Sequence, residues 1–178
     1  MPSERVSCEM NLYVDATPLY NLGQIGELEL LSVFDGTLVI PEAVIEEITV
    51  EPAATNLDLF LDEQSVETEP DCDDWIEDAK QLLDASSETS NVMLVACLLA
   101  SRSREEDAAF FSDDRQLRAV AEGLGATVSG TFGIIVRAAV DDKYFHTTQA
   151  KRVIRRTDHH GVQMTGQLRE RAIGEVDS

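Results

Sequence analysis

Residues 10 to 140 predict an α/β fold with a short, mostly parallel central sheet covered by helices on both faces. Three observations carry this. Short apolar runs alternate with longer segments of helical periodicity along the chain. The apolar runs lack a clean apolar–polar alternation, as strands buried on both faces do. A length of 178 residues is enough for one well-packed domain with a small appendage.

The elements follow in order. "NLYV", Asn11 to Val14, reads as a strand ending at Asp15. In "TPLYNLGQIG", Thr17 suits a helix cap and Pro18 the first helical position. "ELELLSVF" reads as a short helix and "TLVI" as a strand, and Pro41 opens a helix in "PEAVIEEITV". The stretch from Glu51 to Asp74 is acidic and irregular, and reads as a surface connection with one strand near Ser65 to Glu69. "DWIEDAKQLLD" and "SETSNVMLVACLLASR" form two helices, the second strongly apolar. "AAFF" is a strand, "DRQLRAVAEGLG" a helix stopped by glycine, "ATVS" a strand and "TFGIIVRAAV" a helix. From Lys143 onward the composition changes: half of all basic residues, seven of fourteen, fall between Lys143 and Arg171. The chain thus divides into a domain, 10–140, and a basic helical tail, 141–178.

Fourteen basic against 34 acidic residues give a net charge of −20, with the acids spread along the whole chain. That balance fits the solvated acidic surface of a halophilic protein; the rival is an acidic protein that binds basic partners. Cys8, Cys72 and Cys97 are odd in number and form no C-x-x-C pair, so neither a disulfide framework nor a zinc site is indicated. His159 and His160 have no metal-ligand spacing to a further His or Cys and read as surface residues. No run approaches the length of a membrane span, and "MPSERVSCEM" carries no signal-peptide core. The expectation is a soluble, cytoplasmic protein without a membrane partner.

In open parallel sheets, ligands gather beyond the carboxyl ends of the strands. Asp15 lies there after the first strand, and Asp113 with Asp114 lies there after "AAFF". Helical spacing sets Glu88 on one stripe with Val92, Val95 and Leu99, at the start of a buried face. Glu47 borders the apolar face of Val44, Ile45 and Ile48, whereas Glu46 points further away. Clustered carboxylates cannot all ionise without a counter-charge, and a hard divalent cation supplies one. Such an ion acidifies a bound water and polarises a phosphodiester, so the constellation points to metal-assisted phosphodiester hydrolysis. Plainer roles stay open: Asp113 suits capping the helix that begins near Asp114, Glu88 suits a helix N-terminus, and Glu47 suits solvent.

"YVDATPLYNLGQIGELELL", "VIPEAVIEEI", "SSETSNVMLVACLLA" and "FFSDDRQLRAVAEGLGATVSGTFGII" resemble, in order, the successive blocks of a PIN-domain nuclease. The last is the most specific: Ser-Asp-Asp at a strand end, an arginine four residues after the second Asp, then Gly-Thr-x-Gly. With "TGQLRERAIGEV" at its end, the chain is similar to the archaeal and bacterial VapC-like subgroup with a short helical tail. The resemblance implies a three-layer α/β/α fold with an acidic pocket for Mg²⁺ or Mn²⁺. It further implies cleavage of RNA, frequently as the toxin of a toxin–antitoxin pair, so an antitoxin and a homodimer are expected partners. Matched motif to motif, Asp15, Glu47, Glu88, Asp113 and Asp114 are the catalytic acids, and Asp15, Glu88, Asp113 and Asp114 the metal ligands. Ser112 then orients a ligand or water, and Arg118 supports the pocket by pairing with a carboxylate. The subgroup commonly shows Gly-Glu with a second acid two residues on; here Ser87 precedes Glu88 and Ser90 takes the second place.

A surface at −20 repels RNA over about a Debye length, roughly 8–10 Å at ordinary salt. Concentrated salt and a bound metal both reduce that conflict. "KRVIRR", with Lys151, Arg152, Arg155 and Arg156, is either an RNA-backbone contact or a solvated helix face. The alternative to a nuclease is a non-catalytic PIN-like module that binds RNA or protein.

Overall fold

The structure, a computed structural model, describes residues 9–140. Five strands form one sheet: β1 (Asn11–Val14), β2 (Thr37–Val39), β3 (Val66–Glu67), β4 (Ala108–Phe111) and β5 (Thr127–Ser129). They lie in the order β3-β2-β1-β4-β5, and every pairing is parallel. Between them run α1 (Ala16–Ile25), α2 (Glu42–Ile45), α3 (Ala53–Glu63), α4 (Ile76–Leu83), α5 (Ser90–Ser103), α6 (Arg115–Gly123) and α7 (Thr131–Val140). Two short 3₁₀ turns, Leu28–Val33 and Asp73–Trp75, precede β2 and α4. The expected α/β class and parallel sheet are present.

The central strands read as apolar runs because both faces are covered. Leu12, Tyr13 and Val14 of β1 and Ala109, Phe110 and Phe111 of β4 are all buried. One helical layer is α1, α3 and α7 with the first 3₁₀ turn; the other is α4, α5 and α6 with the second. Small residues let α1 and α3 cross closely: a Cβ on Gly23 would stand 3.0 Å from that of Ala53. α1 stops at Gly26, whose φ of +71° a side chain would strain, and Glu27 N–H closes the end on Leu22 O at 2.9 Å.

Several boundaries differ from the sequence reading. α1 starts at Ala16 with Asp15 as its N-cap, so Thr17 and Pro18 lie inside the first turn. "ELELLSVF" forms a 3₁₀ turn, not an α-helix. The segment read as a surface connection holds α3, whose buried residues are Ala53, Leu57 and Phe60 at offsets of four and seven. Three apolar positions among acids make a stripe too thin to stand out. The strand expected near Ser65 to Glu69 is only Val66–Glu67.

The most consequential correction concerns α5. It begins at Ser90, capped by the Thr89 hydroxyl accepting from Val92 N–H at 3.3 Å, so Glu88 lies ahead of the helix and is exposed. Glu88 is therefore not on the buried stripe of Val92 and Val95. "SSETS" offers several hydroxyl caps, and α5 is buried around most of its circumference, so periodicity could not fix its start.

The chain lays β1, β2 and β3 outward in one direction, then returns to the other side of β1 for β4 and β5. Ligand crevices of parallel sheets open where the order reverses, beyond the carboxyl ends of β1 and β4. Among the described residues no helix is long and apolar enough to cross a membrane.

Candidate active site

β1 and β4 deliver Asp15 and Ser112 side by side. Val14 pairs with Phe111, and the ladder continues past the strand ends: Asp15 N–H donates to Phe111 O and Ser112 N–H to Ser129 O, both at 2.9 Å. Ser112 Oγ–H donates to Asp15 Oδ2 at 2.7 Å, while Asp15 Oδ1 accepts from Ala16 N–H at 2.8 Å. Ser112 Oγ in turn accepts from Asp114 N–H at 3.1 Å, which fixes its proton on Asp15. Asp15 is only 6 % exposed. Burial pushes its carboxyl pKa above the usual range; the Ser112 and Ala16 bonds oppose this, and the charges of Glu47 and Asp114 add to it. Asp15, Glu47 and Asp114 therefore share one electrostatic field.

Asp113 and Asp114 have separate tasks. Asp114 caps α6, its Oδ1 accepting from Leu117 N–H at 3.0 Å. Asp113 turns to the start of α7 instead. Its Oδ1 accepts from Thr131 N–H at 2.7 Å, and its Oδ2 accepts from Thr131 Oγ1 at 2.6 Å and Asn21 Nδ2 at 3.0 Å. A Cβ on Gly130 would stand 2.7 Å from Asp113 Oδ1, so glycine is what lets the two segments meet. Arg118 was expected to pair with a carboxylate; it donates instead from Nη1 to Ser112 O at 2.8 Å. Its charge still braces the turn that carries both aspartates.

Glu47 lies in the turn that directly follows α2, exposed, with its N–H on Val44 O at 3.1 Å. Ser90, the first residue of α5 and buried, donates from Oγ to Glu47 Oε1 in a short hydrogen bond. Ser90, Asn21 and Thr131 were missed as positioning residues. Thr131 sat inside the Gly-Thr-x-Gly motif, and Asn21 is a buried polar residue among the apolar positions of α1, a signal the sequence did carry. Beside Asp114 opens a groove of about 400 Å³, walled by Leu82, Leu83, Leu117 and Val120 with Thr89 and Asn91 at its edge. Lys151, Arg152, Arg155 and Arg156 lie outside the described residues.

The donor set suits a hard divalent cation in kind: its side chains offer oxygen alone and carry negative charge. The arrangement is not a closed shell. Among the described residues no three His, Cys, Asp or Glu side chains stand close enough together to hold a metal ion. Ser90 holds Glu47 to one side, Thr131 holds Asp113 to another, and Glu88 is out on its loop.

A family model, DUF3368, described as a PIN domain, matches residues 12–178. No curated protein and no solved structure matches the chain.

Proposed function

The chain belongs to the PIN-domain family, whose members are typically nucleases that use divalent metals, and from that premise we propose a divalent-metal-dependent endoribonuclease that hydrolyses RNA phosphodiester bonds. The observation that carries the reading is a buried carboxylate, Asp15, at the switch point of the sheet, its pKa raised by burial and further by the charges of Glu47 and Asp114.

Asp15 and Asp114 are the carboxylates best placed to hold Mg²⁺ or Mn²⁺, with Glu88 available from its exposed loop. The bound ion supplies the positive charge that polarises the phosphodiester and acidifies a water. Ser112 keeps Asp15 Oδ2 oriented, so the ligand does not swing away. Ser90 occupies Glu47 Oε1 and leaves Oε2 to take a proton from the attacking water. Asp113 works at one remove, tying the aspartate turn to α7 through Thr131. The groove beside Asp114, lined by apolar and polar side chains alike, has room for a base of the RNA strand.

In this reading the strand is single-stranded RNA, and the tail's Lys151, Arg152, Arg155 and Arg156 contact its phosphates. The physiological role is that of a toxin in a toxin–antitoxin pair or of an RNA-processing enzyme in a salt-rich cytoplasm, working as a homodimer. An antitoxin is recognised as a small protein encoded next to this one that blocks cleavage.

The exposure of Glu88 and the commitment of Asp113 to Thr131 favour a second reading, a non-catalytic PIN-like module that binds RNA or protein. One experiment separates the two. The full chain is incubated with end-labelled single-stranded RNA in molar KCl with Mn²⁺ or Mg²⁺. Cleavage that chelator abolishes and that Asp15→Asn and Asp114→Asn each remove supports the nuclease. RNA retention without cleavage, or cleavage unaltered in both variants, supports the module.

A further inference from the structure

Two thiols stand against one another away from the acidic crevice. Cys97 lies in the middle of α5, and Cys72 in the segment just ahead of α4. Their sulfurs are 3.4 Å apart with Cys97 donating, and each residue is 1 % exposed. Cys72 Sγ is also 3.3 Å from Met93 Sδ. Sulfur contacts of this sort can be mere packing, but three features set this one apart. The sulfurs need close only a short gap to bond. Cys72 sits between exposed Asp71 and Asp73 on a connecting segment, so a local opening bares it without disturbing the sheet. The hydrogen bond from Cys97 also holds the Cys72 pKa down against its burial and the charges of Asp73 and Asp71, whereas Cys97, as donor and buried, is pushed up. Cys72, on the connecting segment, is the thiol a peroxide reaches first, and Cys97, inside α5, the one that resolves.

We propose that Cys72 and Cys97 form an oxidation site that takes a hydroperoxide and closes to a reversible disulfide. The Cys72 thiolate attacks one peroxide oxygen, breaking the O–O bond to give a sulfenic acid and, after protonation, water. The Cys97 sulfur then attacks the sulfenic sulfur and expels a second water. With hydrogen peroxide, two thiols lose two electrons and two protons, and the peroxide is reduced to two waters. The product ties the segment ahead of α4 to α5 and closes a loop long enough to constrain the unfolded chain appreciably. The site owes nothing to the nuclease reading, because none of its atoms belongs to the carboxylate cluster.

The test uses the full chain, reduced, treated with stoichiometric hydrogen peroxide and then blocked with N-ethylmaleimide. The expected product is about 2 Da lighter before blocking. Digestion with a glutamate-specific protease should yield a Cys72–Cys97 linked peptide. The melting temperature should rise by about 5 °C or more and return with dithiothreitol. Cys8→Ser should behave identically, and Cys97→Ala should stop at a sulfenic acid that dimedone traps on Cys72. Linkage through Cys8, sulfinic or sulfonic acid on either thiol, or Met93 sulfoxide with both thiols still open to alkylation overturns the proposal. Should Cys97→Ala not fold, the peptide map of the unaltered chain decides alone.

Discussion

Thr131 directs both of its polar groups onto Asp113, its N–H onto Oδ1 at 2.7 Å and its hydroxyl onto Oδ2 at 2.6 Å. Asn21 adds a third donor at 3.0 Å. Asp113 thus serves as the cap of α7, supplied from a different part of the chain. Adjacent aspartates that look equivalent in sequence are divided between a structural knot and the crevice.

Stability should separate the two. Asp113 faces donors alone, so Asp113→Asn turns an amide N–H toward one of them and gives up a charged acceptor; the expected loss is about 1.5–3 kcal/mol. Asp114→Asn keeps a good N-cap on α6, because asparagine caps about as well as aspartate, and should cost less than about 0.5 kcal/mol. Urea unfolding of both variants measures this, and equal losses would refute the division.

Asp15 should show the reverse sign. Its pKa is raised in the folded protein, by burial first and then by Glu47 and Asp114. A raised folded-state pKa gives stability that is complete below the unfolded value near 3.8 and is lost as pH climbs through the folded value. In divalent-free buffer, Asp15→Asn escapes that loss. It should melt higher than the unaltered chain at pH 7, with the gap closing as pH falls toward 4. Added Mn²⁺ should raise the melting temperature of the unaltered chain and leave Asp15→Asn unmoved. A variant that is less stable at neutral pH would show that the hydrogen bonds, not the charge, dominate this site.

These contrasts bear on what the sequence could disclose. Parallel strands buried on both faces advertise themselves as apolar runs, so "NLYV" and "AAFF" and the acids at their ends were legible. α3 was not, since only Ala53, Leu57 and Phe60 mark its inner face. The start of α5 was not either, because α5 is apolar nearly all round and its phase leaves no stripe. Glu88 was misplaced for that reason. The partners that orient the acids, Ser90 on Glu47 and Thr131 on Asp113, lie 43 and 18 residues away from them in sequence. No local pattern encodes such pairings.

Ser90 should act on rate rather than on binding. Its hydroxyl holds Glu47, an exposed carboxylate, so Ser90→Ala should alter stability by no more than about 1.5 kcal/mol. Freed of that bond, Glu47 samples unproductive rotamers. In a cleavage assay kcat should fall about tenfold with KM nearly constant, since positioning partners of catalytic groups typically matter by 10–100-fold. Ser90→Thr keeps a hydroxyl and should recover most of the rate. A change in KM alone would place Ser90 in substrate binding instead.

The acidic surface should make stability depend on salt, and α3 shows where. Asp58 and Asp62 are exposed one turn apart, and Asp62 and Glu63 lie at the helix C-terminus, where the helix dipole is already negative. Both arrangements repel at low ionic strength. At 0.1 M salt the screening length is about 10 Å, longer than the spacing of neighbouring side chains; at 1 M it shrinks to about 3 Å and the repulsion collapses. Asp62→Lys reverses both unfavourable terms at once. It should raise the melting temperature by about 1–3 °C in 0.1 M KCl, and the gain should vanish in 2 M KCl. The unaltered chain should itself melt higher in 2 M KCl, because 34 acids against 14 bases repel throughout the molecule. A gain from Asp62→Lys that persists undiminished at high salt would trace it to packing or helix propensity and remove charge repulsion as the cause.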